Sequence, residues 1–286
     1  MCGVCGCGNE NKGPVLTMMH EHGHTHEQMH NHRHDRPHSH KHTHGDHTHT
    51  HTHDHGHDHH HGHDHHHDHP HKTVIELEKD ILQKNQLLAE RNRGYFAAKK
   101  MFAMNLISSP GSGKTAILEK TLMDLNETVP CYVIEGDQQT LNDAMRIEAT
   151  KTPVVQVNTG QGCHLESDMV QQAITKLDPK EKSFLFIENV GNLVCPSMFD
   201  LGESARIVIM SVTEGDDKPI KYPDAFHSAN ICIINKMDLL PYVNFDVDKA
   251  KEYALKVNPS LKFFEMSATK GDGMETWYEW LKSQLN

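Results

Sequence analysis

From about residue 73 onward, short apolar runs alternate with longer stretches of helical spacing. Runs of strand length lie at Phe102–Ile107, Cys131–Glu135, Val154–Val157, Ser183–Glu188, Ile207–Val212, Asn230–Ile234 and Phe263–Met266. Helical stretches between them cover Ala116–Leu125, Leu141–Ala149, Glu166–Leu177, Asp246–Val257 and Met274–Leu285. A further helix is expected over Val74–Met101, where Ile75, Leu82, Leu88 and Ala89 sit among Glu, Lys, Gln and Arg without a proline. Alternating strands and helices predict an α/β fold with a mostly parallel central sheet flanked by helices on both faces. Right-handed crossovers then bring the binding loops to the carboxyl ends of the strands.

The first 72 residues follow a different pattern. Of the 28 histidines in this 286-residue chain, all but His164 and His227 fall between His20 and His71. Large apolar residues are scarce there, so the segment lacks the buried surface needed to offset the entropy of ordering and is expected to be disordered. The division predicted is a cysteine motif at 1–8, a histidine-rich tail at 9–72, a leading helix at 73–101 and a single α/β domain at 102–286. No apolar run is long enough to span a bilayer, and the start lacks the basic and apolar regions of a signal peptide, which points to the cytoplasm. There the seven cysteines should stay reduced and serve metal or redox chemistry. A formal net charge of −11 argues against nucleic acid as a partner.

The run Ser108-Ser-Pro-Gly-Ser-Gly-Lys-Thr115, between a strand and a helix, has what a phosphate-binding loop needs. Small residues let backbone N–H groups converge on the phosphates, a lysine reaches the terminal ones, and a hydroxyl holds Mg²⁺. Gly111, Ser112, Gly113, Lys114, Thr115 and Ala116 are the candidates, although Ser108 stands where the usual pattern begins with glycine. Asn235-Lys-Met-Asp238 follows an apolar strand in the position of a base-recognition loop. A carboxylate at Asp238 can accept both the ring N–H and the exocyclic amine of guanine; adenine has no such donor pair. Asn235 can tie this loop to the phosphate loop, Lys236 can cover the base, and Ser267-Ala268 can reach the guanine oxygen. GTP and GDP are therefore the expected nucleotides. Asp137 and Glu188 each end a strand and are candidates for Mg²⁺ binding and for handling the attacking water, with Gly191 as a switch glycine. For each acid the alternative is a strand-end carboxylate that caps the next helix.

Three features point to transition metal. Cys2, Cys5 and Cys7 form a compact soft set which, with an α-amine exposed after removal of Met1, suits Ni(II), Cu(I) or Zn(II). Cys163-His164 and Cys195 lie in loops expected on the nucleotide face; they supply three ligands, which pairing of two chains would complete. Here the alternative is one loop histidine and two buried cysteines. The tail, with its His-x-His repeats, is a high-capacity and weakly selective store, since unperturbed imidazoles titrate at about 6.5 and are mostly neutral above that.

Taken together, Cys2-x-x-Cys5-Gly-Cys7, the histidine stretch, the 108–115 loop, Glu135-Gly-Asp-Gln-Gln-Thr140, Gly162-Cys-His-Leu165, Glu188-Asn-Val-Gly-Asn-Leu-Val-Cys-Pro196, Thr213-Glu-Gly-Asp-Asp-Lys-Pro219 and Asn235-Lys-Met-Asp238 resemble the HypB family of hydrogenase nickel-insertion GTPases. The resemblance implies a P-loop GTPase that dimerises across its nucleotides and helps deliver nickel to the [NiFe]-hydrogenase large-subunit precursor. It also implies work with the nickel- and zinc-handling partner HypA and, in some members, with the urease accessory system. By the same resemblance, nickel falls on Cys2, Cys5 and Cys7, nickel or zinc falls on Cys163, His164 and Cys195, and the Mg²⁺ and switch region falls on Asp137 and Glu188. Other functions compatible with the residues are metal storage and detoxification, or a related GTPase serving urease or a zinc enzyme.

Overall fold

A computed structural model describes residues 15–18, 39–44, 47–52 and 74–285, apart from 126, 139 and 161. Cys2, Cys5 and Cys7 and most of the histidine tail lie outside the described residues. In chain order the elements are β1 (Val15–Met18), β2 (Ser39–His44), β3 (His47–Thr52), α1 (Val74–Ala98), β4 (Phe102–Ser108), α2 (Lys114–Leu125), β5 (Cys131–Asp137), α3 (Asn142–Ala149), β6 (Val154–Asn158) and α4 (Ser167–Leu177). They continue with β7 (Phe184–Glu188), α5 (Cys195–Met198), β8 (Ala205–Ser211), α6 (Lys218–Lys221), α7 (Pro223–His227), β9 (Ile231–Asn235), a 3-10 turn (Met237–Tyr242), α8 (Val247–Val257), β10 (Lys262–Glu265) and α9 (Met274–Ser283).

The main sheet has eight strands in the order β1-β6-β5-β7-β4-β8-β9-β10. All pairs are parallel except β1 with β6. Strand residues alternate between two apolar layers. On one face Met104, Leu106, Val133, Phe186, Ile207 and Ile233 pack with Ile117, Leu118 and Leu122 of α2 and Trp277 and Leu281 of α9. On the other, Val155, Val157, Leu185 and Ile187 meet Val170 and Ile174 of α4 and Phe96 of α1. On that side further along, Val208, Met210, Cys232 and Ile234 meet Phe226 and Ala254. The long-run strands are thus buried on both faces, as parallel sheets require. Cys131 and Cys232 belong to this core; burial pushes the Cys131 thiol up to about 12 and raises that of Cys232 further, so both are inert structural thiols.

The expected strands and helices are all present with ends shifted by a few residues, and the short helices α5, α6 and α7 are additional. The tail also contributes order that its composition does not suggest. Val15-Leu-Thr-Met18, its densest apolar run, adds β1 to the sheet edge, with Leu16 and Met18 against the core and Val15 60% exposed. Within a separate unit, His22–Lys72, β2 and β3 pair antiparallel from Ser39↔Thr52 to His44↔His47, where the His/Thr alternation matches the period of a strand. Among the described residues no helix is long and apolar enough to cross a membrane.

Candidate functional site

The chain crosses from one half of the sheet to the other around β4, so the loop after β4 opens at the switch point where ligands of open α/β sheets bind. Gly111 and Gly113 have φ of 79° and 93°, a region disfavoured for residues with a side chain. At Gly113 an added Cβ would also collide with the Asn235 amide. That close approach lets Asn235 Nδ2 donate to the Ser112 carbonyl at 2.9 Å, while Lys236 Nζ donates to the Gly111 carbonyl at 2.7 Å. The base loop and the phosphate loop are therefore joined, as the sequence predicts. Asp238 accepts from Ser267 Oγ at 2.6 Å, which orients its carboxylate. The Ala268 N–H donates to Asn235 Oδ1 at 3.3 Å, so residues 267 and 268 complete the same wall.

At the other end of the loop, Thr115 Oγ1 donates to Glu188 Oε1 at 2.7 Å and Lys114 Nζ lies 3.6 Å from the same oxygen. Burial raises the carboxyl of Glu188, an effect opposed by Lys114 and by the Thr115 hydroxyl. Its second oxygen, Oε2, is buried with no hydrogen-bond partner. A hydroxyl beside a carboxylate oxygen with an unused neighbour suits a hard cation such as Mg²⁺. Asp137 is placed differently. Its carboxylate accepts from the N–H groups of Gln138 at 2.6 Å and Thr140 at 3.1 Å, and from the Thr140 hydroxyl, so it caps the turn after β5. Gly191 lies against Pro110 of the phosphate loop, where an added Cβ would come within 3.3 Å of the ring, and Asn192 bridges to Ser108.

Sequence reasoning missed two groups here. Glu214 Oε1 accepts from the buried Ser112 hydroxyl at 2.6 Å, and Lys218 Nζ donates to Ser109 Oγ at 2.6 Å. Both lie in Thr213–Pro219 after β8, which pairs with β4, and the place of that segment among the motifs that carry the family resemblance was the one signal for them. Glu135 is the other. It faces Glu188 across β5 and β7 and is 2% exposed. Burial first, then the charges of Glu188, Asp137 and Asp143, push its carboxyl up to about 9.

Because that value lies above the 4.5 of an ordinary glutamate, the folded protein holds a proton that the unfolded chain releases between pH 4.5 and about 9. Stability from this site is full below pH 4.5 and falls as pH rises through the window. Glu135→Gln, which keeps the shape and removes the titration, is therefore expected to stabilise the nucleotide- and metal-free protein at pH 8 by on the order of 1–3 kcal/mol, with the gain fading toward pH 4.5. Urea unfolding midpoints at pH 5 and pH 8 test this; equal differences from wild type at both values would contradict it.

The third grouping spans two loops. Cys163 Sγ, a nitrogen of His164 and Cys195 Sγ lie within 4.8 Å of one another. His164 stacks on Phe199 with 3.9 Å between ring centroids and is 8% exposed, and its burial lowers the imidazole to about 4. It therefore stays neutral, the form that ligates metal, well below neutral pH. Two loops separated in sequence meet because a buried polar chain ties them. Asn189, next to Glu188, accepts from the Leu165 N–H at 3.1 Å and donates to Asn105 at 3.2 Å. Asn105 donates to Glu203 at 3.2 Å, Glu203 pairs with Arg206, and Arg206 donates to the carbonyls of Ser197 at 2.7 Å and Phe199 at 2.8 Å. None of Asn189, Glu203 and Arg206 was singled out as a site residue from the sequence. His227, at the end of α7, takes no part in the cluster.

Comparison with known proteins identifies the family. The family model described as CobW/HypB/UreG, nucleotide-binding domain, matches residues 102–265. The chain is 56% identical over 213 residues to hydrogenase maturation factor HypB of Escherichia coli strain K12, covering 74% of this chain and 73% of that one. It is 41% identical over 214 residues to the hydrogenase/urease maturation factor HypB of Helicobacter pylori strain J99, covering 73% and 88%. Among solved structures, HypB from Archaeoglobus fulgidus superposes with a TM-score of 0.67 at 38% identity, over 71% of this chain and 100% of that one. HypB from Helicobacter pylori in complex with nickel gives 0.66 at 38% identity, over 71% and 95%. With the phosphate loop, the base loop and the strand order in place, the chain belongs to the CobW/HypB/UreG family of P-loop GTPases.

Proposed function

We propose that this protein is a GTP-hydrolysing nickel metallochaperone that delivers Ni(II) to a [NiFe]-hydrogenase precursor. The observation that carries the reading is the continuity between the nucleotide and metal groups. Glu188, held by Thr115 and Lys114, is followed at once by Asn189, which anchors the Cys163–His164 loop, and the segment that follows lies along the phosphate loop before reaching Cys195. A γ-phosphate that orders residues 188–195 would thereby change the geometry of the three metal ligands. The relatives named as hydrogenase maturation factors, one of them solved with nickel, support nickel as the cargo.

In the hydrolytic step the protein's contribution is positioning and neutralisation. Backbone N–H groups of 111–115 cradle the phosphates, Lys114 compensates charge on the terminal one, and Asp238 selects guanine. Thr115, Glu188 and Asp137 would hold Mg²⁺, which would supply charge compensation to the phosphates when bound. Nucleotide-dependent pairing of two chains supplies the ligands that three groups leave open, for nickel or zinc. HypA and the hydrogenase precursor are the proposed partners, and the histidine tail is a nickel reserve. The cytoplasm is the proposed compartment.

The test is nickel binding and oligomeric state side by side with GDP and with a non-hydrolysable GTP analogue. The expected result is a shift toward dimer with the analogue, together with a change of at least fivefold in nickel affinity at Cys163, His164 and Cys195, a coupling of about 1 kcal/mol or more. Identical nickel affinity and identical mass in both nucleotide states would sink the switch.

A further inference from the structure

Helix α1 carries two buried asparagines, Asn85 and Asn92, which are 5% and 2% exposed and lie two turns apart on one face. Their amides are directed to backbone groups of the two loops that bear the metal ligands. Asn85 Oδ1 accepts from the Ser167 N–H at 2.9 Å, and its Nδ2 donates to the Asp200 carbonyl at 2.7 Å. Asn92 Nδ2 donates to the Ser167 carbonyl at 2.9 Å and to the Leu201 carbonyl at 3.1 Å. Ser167, which begins α4, is three residues past His164. Asp200 is five residues past Cys195 and adjoins Phe199, on which His164 stacks. The Ser167 hydroxyl joins the loops directly by donating to the Asp200 carbonyl at 2.6 Å. The second loop also lies hard against the helix. Gly202 has a φ of 86°, and an added Cβ would sit 2.5 Å from the Ala89 carbonyl oxygen.

We infer that Asn85 and Asn92 are positioning residues of the metal centre: they fasten both ligand-bearing loops to one helix and so fix the separation of Cys163, His164 and Cys195. A buried amide is costly unless its hydrogen bonds are made, and an apolar side chain would serve packing alone. Here both amides make their bonds, and each bridges the same two loops. Ligand geometry is kept where outer contacts of this kind lock the backbone that carries the ligands. Asn189 secures the Cys163–His164 loop from the strand end that leads to the nucleotide, whereas α1 secures it downstream of the ligands, together with the Cys195 loop. That the ligand is a metal rests on the function proposed above; the fixing of the two thiols does not.

Two probes separate these halves in the full-length protein. Phenylarsine oxide condenses with two neighbouring thiols, forming two As–S bonds and releasing water; added ethanedithiol takes up the arsenical and returns both thiols. Cys163 and Cys195 are read individually, by maleimide labelling and mass spectrometry of their peptides. Release should need roughly tenfold less ethanedithiol in Asn92→Ala than in wild type, because loosened loops lower the effective concentration of one thiol at the other. Asn85→Asp keeps the acceptor for Ser167 and removes the donor to Asp200, so this milder variant should show a drop of roughly threefold. Leu281→Ala opens a cavity under α9 on the opposite face of the sheet; it should destabilise the protein yet leave release within about twofold of wild type. In the second arm, buffered Zn(II) should protect the same two cysteines from the maleimide at a roughly tenfold lower free concentration in wild type than in Asn92→Ala. Equal release in wild type and both asparagine variants, a drop in Leu281→Ala as large as theirs, or equal protection by zinc would overturn the positioning role. Arsenical release that behaves as expected, with no zinc protection even in wild type, would uphold the positioning and refute the metal assignment alone.

Discussion

Lys114→Ala is expected to lower GTP turnover by roughly 10²- to 10³-fold, the loss typical of removing one preorganised group that stabilises transition-state charge. In the structure Lys114 Nζ sits 3.6 Å from Glu188 with only 11% of its side chain exposed. The loss should fall on kcat, because the backbone cradle that binds the phosphates remains. If Cys2, Cys5 and Cys7 form a separate nickel site, as proposed from the family resemblance, nickel binding there should be unaffected. Steady-state hydrolysis with parallel nickel titration checks both halves. Turnover within a few-fold of wild type would remove Lys114 from the reaction, and loss of the N-terminal nickel would show that the two sites are not separable.

The second large effect is a change of base. Asp238→Asn replaces one of two accepting oxygens with a donating amide, and guanine presents donors at both positions. Losing one charge-assisted bond and facing donor with donor should weaken GTP binding by about 3–6 kcal/mol, roughly 10²- to 10⁴-fold. Xanthine carries a carbonyl in place of the exocyclic amine, so the variant should bind XTP better than GTP. The Ser267 hydroxyl, 2.6 Å from Asp238 Oδ1, can still orient the amide. Competition binding of GTP and XTP to wild type and variant decides it; a variant that still prefers GTP would show that Asp238 does not read the base.

Much of this architecture is legible along the chain because it is local. A strand buried on both faces must be an apolar run, and a phosphate loop must be a strand, a glycine-rich turn and a lysine-bearing helix in succession. The base loop is legible for the same reason, since Asn235 to Asp238 carry their chemistry within four consecutive residues. Partnerships set by strand register are not written this way. Glu135 and Glu188 are 53 positions apart and face each other only because β5 lies beside β7, and nothing in either local segment says so. Likewise Glu214 reads as an ordinary loop acid until β8 is seen beside β4 and its carboxylate is found on Ser112. Asp137 illustrates the reverse: local reasoning left two roles open, and here its neighbours' N–H groups hold it as a turn cap.

The sequence by itself determined the fold class, because strand and helix spacing dictate it, and pointed to guanine nucleotide chemistry through its loops and to the candidate metal ligands through its family resemblance. Only the tertiary structure decided that Cys163, His164 and Cys195 meet, through the chain of Asn189, Asn105, Glu203 and Arg206 that no periodicity announces. It also decided where the tail attaches. Val15–Met18 pairs with a strand about 140 residues away, a contact favoured by burying Leu16 and Met18 and by completing an open sheet edge. Such long-range terms depend on which surfaces remain unpaired after the core has packed, and the local pattern of a chain carries no record of that.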